Sequence, residues 1–408
     1  MADGKPDELT ELVEFLSDPR PQIRSHAAEL VQGLTGSAEG VTVLASKADS
    51  LVPALLRMVC GDEASSTRAL TSLVNLSGES QVCAALVERN LGSRALDWVS
   101  EGSCPRPDLL VALLANVSGT PEGAENVLQA KDPIRRGALL SRLLMGRLGL
   151  QERDRDGAEQ GEGGPAGAGK GRGGVAGAGE GEGGASAFSV DDHVGSLAAN
   201  VARLPEGREW LLEPGLGALR ALSDDFRSAS ENRRRGAASA LRNLAVHVAE
   251  DSQRDPRFLA KLLDEEEAWT AALRALDRPR SPADPASTDV SLRRSLAEAV
   301  LCLAREDEGC KLLWKLGAPE ALRTAYEEEE DPDTCAALEG TAEIFLAQGV
   351  APADADAPAE GPGEAAPSGA APADAANLTF GFAGLGMHSA DGAVAPRKNA
   401  PVFEELDD

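Results

Sequence analysis

The sequence predicts an all-α protein built as a solenoid of stacked helical repeats. The first observation is a short apolar string, Leu73-Val74-Asn75-Leu76-Ser77, which recurs along the chain. Its copies are marked by seven anchor positions: Gly33, Asn75, Asn116, Asn200, Asn243, Cys302 and Ile344. Successive anchors are 42, 41, 84, 43, 59 and 42 residues apart. A period near 42 is typical of HEAT and armadillo arrays, so we expect about seven repeats of this type.

The composition of the 408 residues is the second observation. Alanine and leucine are abundant, aromatic residues make up 3%, and no stretch alternates β-branched or aromatic residues with polar ones, so we expect no sheet. The net charge of −27 disfavours nucleic-acid binding, which needs clustered Lys and Arg, and favours a basic or chaperone-type protein partner. The six cysteines form no Cys-x-x-Cys pair, which predicts reduced thiols in a cytosolic or nuclear setting. No apolar run is long enough for a membrane span.

The third observation is a Glu-Gly pair that follows the anchor by six and seven residues in four copies. Because glycine reaches positive φ without strain, we expect each of these glycines to end a helix just past the anchor. The four pairs are Glu39-Gly40, Glu122-Gly123, Glu206-Gly207 and Glu308-Gly309.

Two insertions and a tail account for the irregular intervals. Residues 151–186 are glycine-rich and charged, which predicts a disordered insert, and their removal reduces the interval of 84 to 48. A proline-rich loop at 278–285 lies within the interval of 59. We therefore expect armadillo-like repeats at 1–150 and 187–348, the disordered insert at 151–186, and a disordered acidic tail at 349–408.

The anchor asparagines and nearby arginines are the candidate partner-binding residues. At 100° per residue, Asn243 lies about 160° from the core residue Leu241, so we expect the anchor amides to face away from the core and line one concave groove. There they could bond a peptide backbone, or they could bond a neighbouring repeat. Arginine pairs precede two anchor helices and could meet a partner carboxylate or form repeat-to-repeat salt bridges. The predicted groove residues are Asn75, Asn116, Asn200, Asn243, Arg234, Arg235 and Arg294.

No stretch carries a catalytic or cofactor signature, so we predict a protein that is not an enzyme and has no cofactor or metal. Residues 164–170 match G-x-x-x-x-G-K, but Gly171 replaces the magnesium-binding Ser or Thr, and no strand precedes the match. The four histidines are far apart, and the acidic residues 191–192 before His193 predict a helix start. The acidic run at 327–331 predicts a solvated helix end that could attract a basic client. The ending 401–408 resembles a chaperone-docking tail but differs by one residue in register.

Several dispersed strings resemble the HGH homologue family of armadillo-repeat chaperones. They include the strings at 11–17, 73–77, 193–197 and 211–214, Arg234-Arg235-Gly236 with Leu241-Arg242-Asn243-Leu244, and the run at 326–332. The resemblance implies a cytoplasmic, monomeric adaptor that binds newly made translation elongation factor 2 and works with chaperonin and heat-shock co-chaperones. Two segments, 244–248 and 258–289, depart from the family pattern.

Two other functions compete with the one that the resemblance implies. An armadillo scaffold of a different assembly is the alternative. An importin-like carrier is disfavoured, because such carriers place a tryptophan one turn before each anchor asparagine. The four positions are here Thr71, Ala112, Ser196 and Ser239.

Overall fold

The computed structural model describes residues 7–144 and 191–348, and every regular element in these two ranges is helical. The predicted insert at 151–186, the predicted tail at 349–408, the near-Walker string and the chaperone-like ending lie outside the described residues. None of the described helices is long and apolar enough to cross a membrane.

Seven long helices form one layer of the array, which we call the ladder. Each ladder helix packs against the next one along the chain, and each carries one anchor position close to its C-terminal end. The prediction of an all-helical armadillo-type array with about seven repeats is thereby confirmed. The ladder helices are α2 (Pro21–Leu34), α5 (Glu63–Leu76), α8 (Pro107–Val117), α11 (Asp191–Val201), α14 (Glu231–Val246), α19 (Val290–Ala304) and α22 (Pro332–Gln348).

The remaining helices, none longer than 11 residues, connect the ladder helices and cover the other side of one continuous core of Leu, Val and Ala. They are α1 (Glu8–Phe15), α3 (Ala38–Ala45), α4 (Ala48–Leu56), α6 (Ser80–Glu88), α7 (Leu91–Glu101), α9 (Pro121–Leu128), α10 (138–144), α12 (Pro205–Leu211), α13 (Ala218–Ser223), α15 (Val248–Arg254), α16 (Phe258–Leu263), α17 (Glu266–Leu276), α18 (Pro285–Thr288), α20 (Asp307–Lys315) and α21 (Ala318–Glu327), with a 3-10 turn at Asp224–Arg227. The long interval of 59 contains α16 as well as the proline-rich loop, and the sequence did not indicate this extra helix.

The four Glu-Gly glycines occupy a different place from the one that the sequence predicted. Gly40, Gly123, Gly207 and Gly309 lie in the first turn of the helix after the ladder helix, and none has a positive φ. A Cβ at each would overlap the carbonyl group of the residue six positions earlier, at the end of the ladder helix. The prediction of a helix-ending glycine was therefore wrong. Glycine is needed there because two backbones meet.

Ladder helices α11 and α14 also cross with their backbones in contact. A Cβ on Gly195 would lie 2.8 Å from the amide nitrogen of Ala237, and one on Gly236 would lie 2.6 Å from the carbonyl carbon of Gly195. Side chains at this crossing would force the two helices apart, because close-packed interiors leave no room for an added methyl group. The close approach fixes the spacing of the anchors Asn200 and Asn243.

Candidate functional site

The anchor amides form hydrogen bonds from each repeat to the preceding one. The Nδ2 atom of Asn116 donates to the Ser77 hydroxyl at 2.9 Å, and that hydroxyl donates to the Val74 carbonyl at 2.6 Å. The result is a relay that joins the C-terminal ends of consecutive ladder helices. The other donations are from Asn75 to Thr35 (2.9 Å), from Asn200 to the Ala115 carbonyl (2.9 Å) and the Ser118 hydroxyl (3.0 Å), and from Asn243 to the Ala199 carbonyl (2.8 Å).

A hydroxyl two residues after the preceding anchor makes this relay possible. Thr35, Ser77 and Ser118 hold that position and form the C-caps of α2, α5 and α8. Where Ala202 replaces the hydroxyl residue, Asn243 bonds a backbone carbonyl directly. The pattern Asn-x-Ser is visible in the sequence, but the bonded partners are 39 to 85 residues apart, so sequence reasoning missed the bond.

The anchor amides still offer one hydrogen-bonding group to a partner. The side chains of Asn75 and Asn116 are exposed, and those of Asn200 and Asn243 are half-buried. Their Oδ1 atoms accept no hydrogen bond from residues in the two described ranges. A carbonyl oxygen with open lone pairs can accept from a peptide N–H. The structure thus shows the bond to the neighbouring repeat, and the partner-binding role of the four amides stays a prediction.

The first arginine pair joins the N-terminal ends of α14 and α19. The Nε atom of Arg234 lies 2.5 Å from Asp289 Oδ2, and the Nε atom of Arg235 lies 2.9 Å from Asp289 Oδ1. Asp289 is the N-cap of α19 and accepts the Leu292 N–H. Its side chain is fully buried, so the two arginines are the cations that compensate its removal from water.

The second arginine pair repeats this arrangement between α19 and α22. Arg293 binds Glu329 with two bonds of 2.7 and 2.9 Å, and Arg294 binds Asp331 with bonds of 2.6 and 3.2 Å. Arg280, from the proline-rich loop, is a third cation and lies 2.9 Å from the Glu329 carboxylate. Both arginine pairs therefore hold consecutive ladder helices together, which is the structural role that the sequence left open.

Glu329 corrects the prediction that the acidic run at 327–331 is simply solvated. Its side chain is only 1% exposed. Burial by itself is the largest influence and raises the pKa of this carboxyl, but the hydrogen bonds from Arg293 and the Asp331 N–H, together with the charges of Arg293 and Arg280, lower the pKa overall. The run is a helix end, as predicted, but one of its carboxylates is buried in an ion-pair cluster.

The arginines differ in what a partner can reach. The Arg235 and Arg294 side chains are 43% and 41% exposed, whereas the Arg234 side chain is 6% exposed. A partner carboxylate can therefore approach Arg235 and Arg294 without disturbing the fold. A partner could contact Arg234 only after the buried ion pair between Arg234 and Asp289 had opened.

The cysteines and histidines were the remaining candidate groups, and those in the described ranges form neither a disulfide nor a metal site. All six cysteines are free. Within the described ranges no cluster of three or more His, Cys, Asp or Glu residues could hold a metal ion. Asp191 and Asp192 lie in helix α11, but the residues before Asp191 are outside the described ranges, so the helix start stays a prediction; burial lowers the pKa of His193.

Proteins named HGH1 homolog are similar to this chain over most of its length. The Mus musculus protein is 26% identical over 357 residues, which cover 84% of this chain and 83% of the relative. The Xenopus tropicalis protein is 24% identical over 358 residues, or 83% and 88% of the two chains. The Dictyostelium discoideum protein matches over 124 residues at 27% identity, 30% of this chain and 34% of the relative. These matches confirm the resemblance that the sequence strings predicted, whereas no family model matches the chain.

Solved structures of designed armadillo repeat proteins are also similar. One designed armadillo repeat protein covers 82% of this chain and 98% of its own length, with a TM-score of 0.41 and 15% identity. A computationally designed armadillo repeat protein for modular peptide recognition has the same coverage and TM-score at 18% identity. The similarity to HGH1 homologs and the helical array described above support a repeat scaffold or adaptor that works through protein partners.

Proposed function

We propose that this chain is a cytoplasmic adaptor without enzymatic activity, which binds newly made translation elongation factor 2 and links it to chaperonin and heat-shock chaperones. The similarity to proteins named HGH1 homolog over 84% of the chain supports this proposal, together with the role that the resemblance implies. An armadillo scaffold of a different protein assembly is the second candidate.

The observation that carries the binding mode is the row of open amide oxygens on consecutive ladder helices. A row of acceptors at the repeat spacing suits an extended or partly folded polypeptide, whose N–H groups need partners until it folds. Arg235 and Arg294 lie on neighbouring ladder helices and remain partly exposed after pairing. Together these groups recognise backbone amides and carboxylates rather than one fixed sequence.

The direct test is binding of the purified full-length chain to purified elongation factor 2. Asn200→Ala, Asn243→Ala and Arg235→Ala should each weaken binding roughly two- to tenfold, the usual range for a hydrogen bond or exposed ion pair, without unfolding the array. Arg234→Ala should also weaken binding but would lower the melting temperature, because Arg234 is itself only 6% exposed and is the buried partner of Asp289, whereas Arg235 is 43% exposed.

Arg323→Ala is the matched control for Arg294→Ala. Both side chains are 41% exposed, but Arg323 pairs with Glu320 and Glu327 of its own short helix, outside the ladder. Loss of affinity in Arg294→Ala alone would support the ladder as the binding face. If the wild-type chain does not bind the elongation factor, and its affinity purification recovers another assembly without the factor or chaperonin, the scaffold alternative replaces this proposal.

A further inference from the structure

A pocket of about 600 Å³ lies on the side of the array formed by the short helices, apart from the ladder residues. Its walls come from α6, α7, α9 and the loop between α9 and α10. This is the loop at 129–137, which we call the pocket loop. The surface contains no residue of the predicted groove, so it constitutes a separate candidate site.

The cationic groups that line the pocket are already paired. Lys131 lies 2.8 Å from the Glu125 carboxylate. Arg135 lies 2.6 Å from Asp97 and also donates to the Ser93 hydroxyl. The two cations in the lining are therefore paired with acceptors of the protein itself.

Several acceptors in the lining have no donor. The Glu122 carboxylate, which is exposed, makes no ion pair or hydrogen bond with residues of the described ranges. The Gln129 Oε1 atom is buried and likewise has no donor there. Four carboxylates line the pocket against two cations. A lining with spare acceptors and negative charge is complementary to a group that only donates, such as a lysine ammonium or an arginine guanidinium.

The pocket loop also presents an apolar side chain in a fixed position. The Asp132 carboxylate accepts the N–H groups of Ile134 and Arg135 at 2.9 and 3.1 Å. The Gly137 N–H donates to the Leu128 carbonyl at 2.8 Å, which closes the loop at its base. The loop thus has little freedom, yet its Ile134 is 91% exposed. Single exposed apolar side chains are common. This one is held between Asp132 and Arg135, which both line the acceptor-rich pocket.

We propose that this pocket takes a lysine or arginine side chain of a partner protein, with an apolar neighbour of that residue packed on Ile134. The cation adds donors where Glu122 and Gln129 lack them, and burial of Ile134 supplies the apolar part of the contact. The site does not depend on which client the ladder binds.

The test uses blocked tripeptides as probes and amide NMR spectra of the full-length chain as the readout. Leu-Lys-Leu should shift the resonances of Gln129 and Ser93 at the pocket, whereas the same peptide with norleucine in place of lysine should not. Glu122→Gln should weaken the lysine peptide by roughly two- to fivefold, as for an exposed ion pair. Glu39→Gln is the matched control, because Glu39 is the exposed glutamate of the equivalent Glu-Gly pair and does not line the pocket.

A second comparison tests the apolar part of the contact. Leu-Lys-Leu should bind more tightly than Ser-Lys-Ser to the wild-type chain, and Ile134→Ser should remove that difference. The proposal would be overturned if the norleucine peptide bound as tightly as the lysine peptide, or if Glu122→Gln and Glu39→Gln weakened the lysine peptide equally. Binding of spermidine but not of the lysine peptides would also overturn it. Because no elongation factor is present, these results are independent of the test of the proposed function.

Discussion

A single methyl group at Gly123 should test the backbone contact that sets the repeat. Gly123 lies in the first turn of α9, and a Cβ there would lie 2.7 Å from the carbonyl carbon of Val117, with the carbonyl oxygen closer still. Non-bonded carbon atoms normally stay about 3.5 Å or more apart. Gly123→Ala therefore requires α9 to move away from the end of α8 by roughly 1 Å.

The size of the effect follows from two opposing contributions. Alanine in place of glycine favours a helix by about 1 kcal/mol. Overpacking against backbone that cannot move freely costs about 3 kcal/mol, the upper part of the usual range, because the overlap involves a main-chain carbonyl. The expected net loss is about 2 kcal/mol for Gly123→Ala. Gly33→Ala, within α2, meets nothing within 4 Å and should stabilise the chain by up to about 1 kcal/mol.

Thermal unfolding followed by circular dichroism measures both variants against the wild-type chain. The melting temperature should fall by several degrees in Gly123→Ala, at roughly 2 to 4 °C per kcal/mol, and should stay level or rise in Gly33→Ala. A denaturant titration checks that the slope is unchanged, since repeat arrays can unfold in parts. A melting temperature for Gly123→Ala at or above that of the wild type would refute the close-contact explanation of the Glu-Gly pair.

Two further predictions concern the arginine clusters. Arg293→Ala should lower the unfolding free energy by about 3 kcal/mol, because Glu329 stays buried with a main partner removed, whereas Arg294→Ala at a partly exposed pair should cost less than about 1 kcal/mol. Equal losses of unfolding free energy for the two variants in denaturant titrations would contradict this difference. Hydrogen bonds from Arg294 lower the pKa of Asp331 below its ordinary 3.8, and the pKa of Glu329 is lowered from 4.5. Their stabilising contribution is therefore present above about pH 5 and is lost as the pH falls below about 4. Melting temperatures measured against pH should show a shallower acid decline in Arg294→Ala than in the wild type.

The repeat register could be predicted from the sequence because it depends on local properties. Apolar spacing placed all seven anchors near the C-terminal ends of ladder helices, where the structure has them. The role of the Glu-Gly pair could not be predicted in the same way. A glycine after a helix usually indicates a residue with positive φ, and only the packing of two helices shows that Gly123 meets a carbonyl group instead. The repeat of the Glu-Gly pair was recognised correctly from the sequence, but the physical reason for it is a tertiary contact.

The contacts of the predicted groove residues lie between repeats, which explains why their two possible roles could not be separated in advance. At the C-terminal ends of the ladder helices, amides such as Asn116 donate to the preceding repeat. At the N-terminal ends of α14 and α19, arginines such as Arg234 bind carboxylates at the start of the following ladder helix. Each bond joins residues about one repeat or more apart, a distance at which a sequence pattern does not identify partners. Because the donors of these amides and arginines are largely used within the array, a partner would meet mainly the acceptor oxygens of the amides and the exposed parts of Arg235 and Arg294. Substitutions at these groups should therefore weaken binding without unfolding the array, whereas substitution of Arg234 should weaken binding and lower the stability of the array.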